Sequence, residues 1–496
     1  MRNRRSLGLR LVLALAASVA ASVAAASAAG AQPLSPVPSP PSAPLPRGPA
    51  VALSLTDAVA IGLRDNREIK SAYLERVVQK FDLVVAERRF MPVARISAQV
   101  TDRRGNGSGS DDTSASGGID GSWLLPTGAT IGFSWGRFER LDSRTTDRTD
   151  TASLSLNQPL LRSAGLAVNL APLRSARIAE RINKLALEST VSGVVSSIIY
   201  SYRTLLQAQE QVRLTELSLT RTRSLLETNR ALIEAGRMAA ADIVQTESGL
   251  ANQEVAVLSA YRQRESAQLA LLQLLALDPR TNVVADDQVK AEKIIIDLDR
   301  ATALGFDSRM DILSQRLALD QARQTLMLAR NNRLWDLSLT ASVGRREDVD
   351  PVWGALDPQT DSTVGLRLGI PLGDYGPRQA ELRAETSLQT TELRYEELTA
   401  AVEAQIRDAV QTVEMNWLQL EAARRARDLA GRALDLQQEK LKVGRASNFE
   451  VLSFQDSLRN ADAQELNARI AYLNALTALD QQIGSTLETW RIDLND

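Results

Sequence analysis

The sequence predicts an α+β membrane protein made of two copies of one unit, with half-buried strands at one end and very long helices at the other. Three observations predict it: a repeat at constant offsets, stretches where apolar and polar residues alternate, and apolar rows spaced by seven.

The repeat comes first because it governs the rest. Leu55-Thr-Asp-Ala58-Val-Ala-Ile-Gly62 matches Leu298-Asp-Arg-Ala301-Thr-Ala-Leu-Gly305 at an offset of 243. Ile69, Leu74, Ala98 and Val100 match Ile312, Leu317, Ala341 and Val343 at that same offset. Further along the offset becomes 208: Leu226, Gly236, Arg237, Leu250, Asn252 and Leu271 match Leu434, Gly444, Arg445, Leu458, Asn460 and Leu479. Two offsets held over such lengths mark a true duplication. It divides the chain into a first repeat at 53–280, an inter-repeat segment at 281–297, a second repeat at 298–487 and a tail at 488–496.

Residues 1–31 read as a signal peptide. Arg2, Arg4, Arg5 and Arg10 precede the apolar run Leu11 to Ala26, and Ala29-Gly30-Ala31 fits a small-x-small cleavage site. An uncleaved anchor is the alternative, but the run is short and rich in alanine. Residues 32–52 form a linker, since eight of the seventeen prolines crowd between 33 and 49.

From Leu53 to about Arg89 the pattern is helical, with Thr56 or Asp57 as the expected cap and Pro92 as the stop. The period then becomes two. Ala94, Ile96, Ala98 and Val100 alternate with Arg95, Ser97, Gln99 and Thr101, and Ile131, Phe133 and Trp135 repeat the rhythm. Leu154 and Leu156, then Leu337 to Val343, then Val364 to Ile370 do the same. A β-sandwich would alternate likewise. An exported chain with strands of about ten residues bordered by Trp123, Trp135, Trp335 and Trp353 favours a transmembrane barrel, with these tryptophans at the membrane interfaces. The halves differ here: Ile96 to Pro159 spans 63 residues and Leu339 to Pro371 only 32. The surplus, about 119–138 with a turn at Pro126-Thr-Gly128, reads as one additional hairpin, either in the barrel wall or projecting from it.

Beyond Pro159 and Pro371 lie the longest elements. Val191, Ile198, Leu205, Val212, Leu219, Leu226 and Ile233 form a row spaced by seven. Ile406, Val413, Leu420, Leu434 and Leu441 form its counterpart, broken only at Arg427. Such rows are coiled-coil seams. The companion row Val194, Ser201, Ala208, Thr215 and Thr222 is small and partly polar, which lets helices approach closely. The long helices turn at Gly236-Arg237 and at Gly444-Arg445, glycine supplying the left-handed C′ position. Ser447 and Glu450 then have capping-box spacing, while the first half keeps only Asp242.

Composition excludes much. The formal net charge is −2, and removal of the leader's arginines makes the chain more acidic, so nothing favours nucleic acid. Absence of cysteine removes disulfides, and lipid anchoring through a cysteine. Without histidine the commonest general base and metal ligand are missing. There is no phosphate loop or nucleophile elbow, and most carboxylates pair with arginine along helix faces. The chain is expected to be no enzyme and to use no cofactor or metal.

The order helix, strands, Pro-Leu corner, long helix, Gly tip and return helix, given twice, resembles the TolC-like outer-membrane efflux proteins. The residues that carry the resemblance are the Leu-x-x-Ala-x-x-x-Gly openings at 55–62 and 298–305, the corners Gln158-Pro159-Leu160 and Ile370-Pro371-Leu372, and an acidic residue six positions beyond each tip glycine. The resemblance implies a homotrimer whose chains each give four strands to a twelve-stranded barrel in outer-membrane lipid, continued by a helical coiled-coil barrel in the periplasm. Six strands per chain would give eighteen. It implies a periplasmic adaptor docking at Gly236 and Gly444, and an inner-membrane efflux or ABC transporter behind it. Arg237 and Arg445 depart from the small or apolar residues common there. Asp242 and Glu450 become carboxylate rings at the periplasmic entrance, or are only helix N-terminal charges and caps.

The expected function is therefore a passive outer-membrane duct of a tripartite export system. A protein-secretion duct of the same fold is one alternative. An exported coiled-coil rod without a pore is another.

Overall fold

The structure, a computed structural model, describes residues 50–103, 112–141, 147–237, 239, 243–288, 290–350, 353–443 and 445–494. The leader and most of the proline-rich segment lie outside them, as do Asp242 and Gly444.

Each repeat opens with two helices. In the first these are α1 (Leu55–Asp65) and α2 (Arg67–Glu87); in the second they are α5 (Leu298–Ser308) and α6 (Met310–Asn332). The continuous helix expected from Leu53 to Arg89 is thus broken at Asn66, which leaves the helical region at ψ 133° and caps α2 by accepting from the backbone N–H groups of Glu68 and Ile69. Its amide also donates to Leu274 O at 2.8 Å, a partner 208 positions away. The cap of α1 is Ser54 rather than Thr56 or Asp57, its hydroxyl accepting from Asp57 N–H at 3.1 Å.

Six long strands form one antiparallel meander: β2 (Val93–Arg103), β3 (Asp112–Leu124), β4 (Thr130–Arg140), β5 (Asp147–Pro159), β7 (Asp336–Asp350) and β9 (Gln359–Gly369). They pair in that order, with the short β8 (Gly354–Ala355) beside β7. The surplus hairpin of the first half is β3–β4, and it lies within the sheet between β2 and β5. A second, two-stranded sheet pairs β1 (Val51–Leu53) with β6 (Val283–Ala285) in parallel, so the inter-repeat segment is tied to the start of the first repeat.

The long helices are α3 (Ala171–Glu234, 64 residues) and α7 (Gly376–Lys442, 67 residues). At 1.5 Å per residue each runs for about 95–100 Å. α4 (Ile243–Leu274) and α8 (Asn448–Ile483) return along them. Among the described residues no helix is long and apolar enough to cross a membrane.

Two separate cores hold the repeats. In the first, Val191, Ile198, Leu205 and Tyr202 of α3 pack on Ala58, Val59 and Ile69 and on Leu271 and Leu272 of α4. In the second, Val402, Ile406, Val413 and Leu420 of α7 pack on Ala301, Ile312 and Tyr472. The heptad rows therefore contribute Val191, Ile198 and Leu205 to the first core and Ile406, Val413 and Leu420 to the second. A third cluster near the tips joins Leu225 of α3 to Leu434 and Leu441 of α7 and to Val451 and Leu458 of α8.

Candidate functional site

The features that bear on function lie at the two ends of the long helices and at the belt between them.

At the first tip Gly236 takes φ +67°, and its N–H donates to Ile233 O at 2.9 Å. Arg237 N–H closes the turn on Leu232 O at 2.9 Å, leaving the guanidinium exposed. At the second tip Arg445 N–H reaches Lys440 O at 2.8 Å, and Arg445 is likewise exposed. The Ser447 hydroxyl accepts from Glu450 N–H at 3.2 Å, while the Glu450 carboxylate accepts from Ser447 N–H at 2.7 Å. Those bonds from the Ser447 backbone and hydroxyl hold the Glu450 carboxyl below its usual range.

Just behind the tips lies a buried polar knot that sequence reasoning missed. Asn229 Nδ2 donates to Thr246 Oγ1 and to Asn448 Oδ1, and Asn448 Nδ2 donates to Thr246 Oγ1, all at 2.8 Å. The knot unites α3, α4 and α8, and all three residues are buried. One signal was visible: Asn448 directly follows the Ser447 cap, beside the apolar Phe449, Val451 and Leu452. Farther along, α4 and α8 border a cleft of about 590 Å³ lined by Gly249, Gln253, Phe449, Leu452, Gln455 and Arg459.

Mid-helix, the break in the second heptad row has a cause. Arg427 Nε lies 3.1 Å from Asp462 and 3.8 Å from Glu465, both on α8. Arg469 also pairs with Glu465, and Arg221 of α3 approaches Asp462 at 3.9 Å. Three helices therefore meet through charge where the row would otherwise place leucine.

At the belt, Tyr202 Oη donates within 2.7 Å of Asp287 Oδ2 and 2.8 Å of Leu53 O, while Leu55 N–H also donates to Asp287 at 2.7 Å. Burial and the Asp287 carboxylate push the Tyr202 phenol above its usual range, so it stays a neutral donor. Tyr472 plays the corresponding part in the second repeat, donating to Glu292 O at 2.7 Å and accepting from Ile294 N–H at 3.1 Å. Between the two, Arg203 binds Leu473 O at 2.6 Å and Thr477 Oγ1 at 2.8 Å, and burial pulls its guanidinium down to about 10.

The sheet carries the four tryptophans singled out from sequence. Trp123, near the helical end of β3, donates from Nε1 to Phe90 O at 2.8 Å. Trp335 immediately precedes β7 at that same end. Trp135 sits mid-strand in β4, level with Ala152, with Arg137 over its ring at 5.9 Å. Trp353 lies beyond β7, at the opposite end from Trp335, and is exposed. Among the described residues no group of three or more His, Cys, Asp or Glu could hold a metal ion.

The family model described as "Outer membrane efflux protein" matches residues 94–277 and 306–485, one segment in each repeat. The outer membrane protein TolC of Vibrio cholerae is 23% identical over 322 residues, covering 62% of this chain and 71% of the relative. Two solved channels share the fold. The CmeC outer membrane channel of Campylobacter jejuni aligns with a TM-score of 0.66 at 16% identity, over 87% of this chain and 86% of that one. The open state of the MtrE outer membrane channel of Neisseria gonorrhoeae aligns at 0.65 and 17% identity, over 87% and 88%.

Proposed function

This chain belongs to the outer membrane efflux protein family, and from that premise we propose that it is the outer-membrane duct of a tripartite export system. In this reading three copies assemble around one axis. Their sheets close a barrel in the outer membrane, and their long helices continue it as a coiled-coil tunnel in the periplasm. The duct is passive: an inner-membrane transporter, through a periplasmic adaptor, drives the substrate into it. The chain reaches the outer membrane after loss of residues 1–31 and is held there by its barrel, with no lipid anchor and no cofactor.

One observation carries the reading. A sheet with an apolar and a polar face stands on helices about 95–100 Å long, and the two parts are joined twice in the same order. Among the described residues neither edge of that sheet is paired, and unpaired backbone is untenable in hydrocarbon, which supports completion by further copies.

The tips at Gly236, Arg237, Gly444 and Arg445 are the proposed adaptor contacts. Asp242 and Glu450 are the proposed entrance carboxylates, which a trimer would set in rings where like charges attract cations. The Glu450 carboxylate is engaged with Ser447, so the same group serves as cap and as ring member.

Fractionation and planar-bilayer recording test the proposal. The expected result is a trimer in the outer-membrane fraction that dissociates on heating and conducts ions when reconstituted. A monomeric, non-conducting rod outside that fraction would overturn it.

A further inference from the structure

The two faces of the meander differ, and the surplus hairpin obeys the difference. Partners directly opposite in antiparallel strands point to the same side. One such row is Ala94, Gly121, Phe133, Leu154, Val343 and Ser362, and the next towards the loops is Ile96, Ile119, Trp135, Ala152, Arg345 and Thr360. The alternate row holds Arg95, Asp120, Ser134, Ser153, Gly344 and Asp361, where the Ser134 and Ser153 hydroxyls meet at 2.7 Å. Within the single chain the apolar face lies open: Ile96 is 80% exposed and Val364 77%.

This apolar band has limits. Charge enters at its loop-side end with Arg345 and fills the next row, where Arg137 pairs with Asp150 at 2.7 Å and Glu347 stands opposite Asp150. From Trp335 to Arg345 the strand runs about 33 Å, or roughly 25 Å along the normal at a tilt near 40°, the height of a hydrocarbon-facing band. β3 and β4 carry the band without interruption from β2 to β5. A hairpin standing off the sheet in water would have no reason to keep its apolar residues in those rows.

The hairpin is also fixed at its base. Gly165 N–H donates to Thr127 O at 3.0 Å, which seats its turn against the entry to α3. Trp123 holds Phe90 O at the end of the opening helices. The Phe133 ring lies over Gly121, where any β-carbon would collide with it, so that pair covers its own gap on the apolar face.

The two outer strands, β2 and β9, are each 11 residues long and run in opposite senses, as antiparallel pairing between neighbouring copies requires. We infer that each chain gives six strands to the membrane wall, that β9 of one copy pairs with β2 of the next, and that three copies close a barrel of eighteen strands. Diameter grows roughly in proportion to strand number, so this bore is about half again as wide as a twelve-stranded one. The inference rests on the trimeric duct proposed above. The membrane segment would then pass solutes too bulky for a twelve-stranded barrel.

The chain has no cysteine, so single spin labels can be placed at will on the full-length protein in phospholipid vesicles. Labels at Phe133→Cys and Leu154→Cys are expected to be relaxed chiefly by oxygen dissolved in the bilayer. A label at Ser134→Cys should respond chiefly to a water-soluble nickel chelate. If Leu154→Cys lies in lipid while Phe133→Cys lies in water, the hairpin is outside the wall and the inference is overturned, with the duct intact. If Leu154→Cys also lies in water, the duct reading itself fails. Electron cryomicroscopy of the unsubstituted protein supplies the second measurement: eighteen strands around the axis support the inference, and twelve overturn it.

Discussion

Gly62 of α1 lies directly beneath the side chain of Ile198 of α3, so that a β-carbon at position 62 would overlap the isoleucine δ-methyl. Gly305 of α5 stands in the same relation to Ile406 of α7. The glycines are separated by the first repeat offset of 243 and the isoleucines by the second, 208. One close helix crossing has been kept in both halves, and each occurs inside its own buried core.

Gly62→Ala is therefore expected to destabilise the protein by about 1–3 kcal/mol through overpacking, despite alanine's better helix propensity. Gly305→Ala should cost a similar amount. Removing the offending methyl with Ile198→Val should rescue Gly62→Ala, and Gly193→Ala, which has open space around it, should be neutral or stabilising. Denaturant midpoints check all four.

Thr246→Val leaves the amide groups of Asn229 and Asn448 without the hydroxyl they share. The loss of buried partners should cost about 1–3 kcal/mol. It should be felt locally, where the knot ties α3 and α4 to α8. Limited trypsin digestion at Arg237 and Arg445 measures it: cleavage at both tips should accelerate, and unchanged rates would mean the knot does not hold them.

Ser447→Ala should cost about 1 kcal/mol as a lost N-cap and raise hydrogen exchange in the first turn of α8. The Glu450 carboxyl is lowered from its ordinary 4.5 in the folded chain. Its contribution is therefore complete above about pH 4.5 and disappears as pH falls through the lowered folded value. Exchange in that turn should be independent of this group between pH 6 and 8 and should rise in acid. Glu450→Gln should remove the acid-side rise. Single-channel recording of Glu450→Gln addresses the proposed ring: reduced cation selectivity is expected, and unchanged selectivity would reduce Glu450 to a cap.

Arg427→Leu restores the interrupted heptad row, and by periodicity alone it should stabilise. The opposite is expected. Asp462 and Glu465 are each only about a tenth exposed and would lose their nearest cation from α7. Because the arginine itself is half exposed, the loss should be near 1 kcal/mol and smaller at high salt. A gain in stability on denaturant titration would show that packing dominates there.

Much of this was readable before any coordinates. The strands at Ala94–Thr101, Ile131–Trp135 and Leu337–Val343 follow from alternation, and the long helices from rows such as Val191 to Ile233. These signals are local: each residue's neighbours within one or two turns carry the pattern. The break at Asn66 was not readable, because its stabilising partner is Leu274 O in another helix. The choice of Ser54 as cap has a smaller reason, since Ser54, Thr56 and Asp57 fall within four positions and all are competent caps.

The sequence by itself determined the duplication, the kinds of element and their order, since hydrophobic periodicity and turn residues act over short stretches of chain. Tertiary structure decided where sequence-distant groups meet: Asn229 with Asn448, Tyr202 with Asp287, and the β3–β4 hairpin between β2 and β5. Those pairings depend on backbone edges and buried polar groups finding partners tens to hundreds of residues away. A local pattern states that such a group needs a partner, and only the fold selects which one it gets.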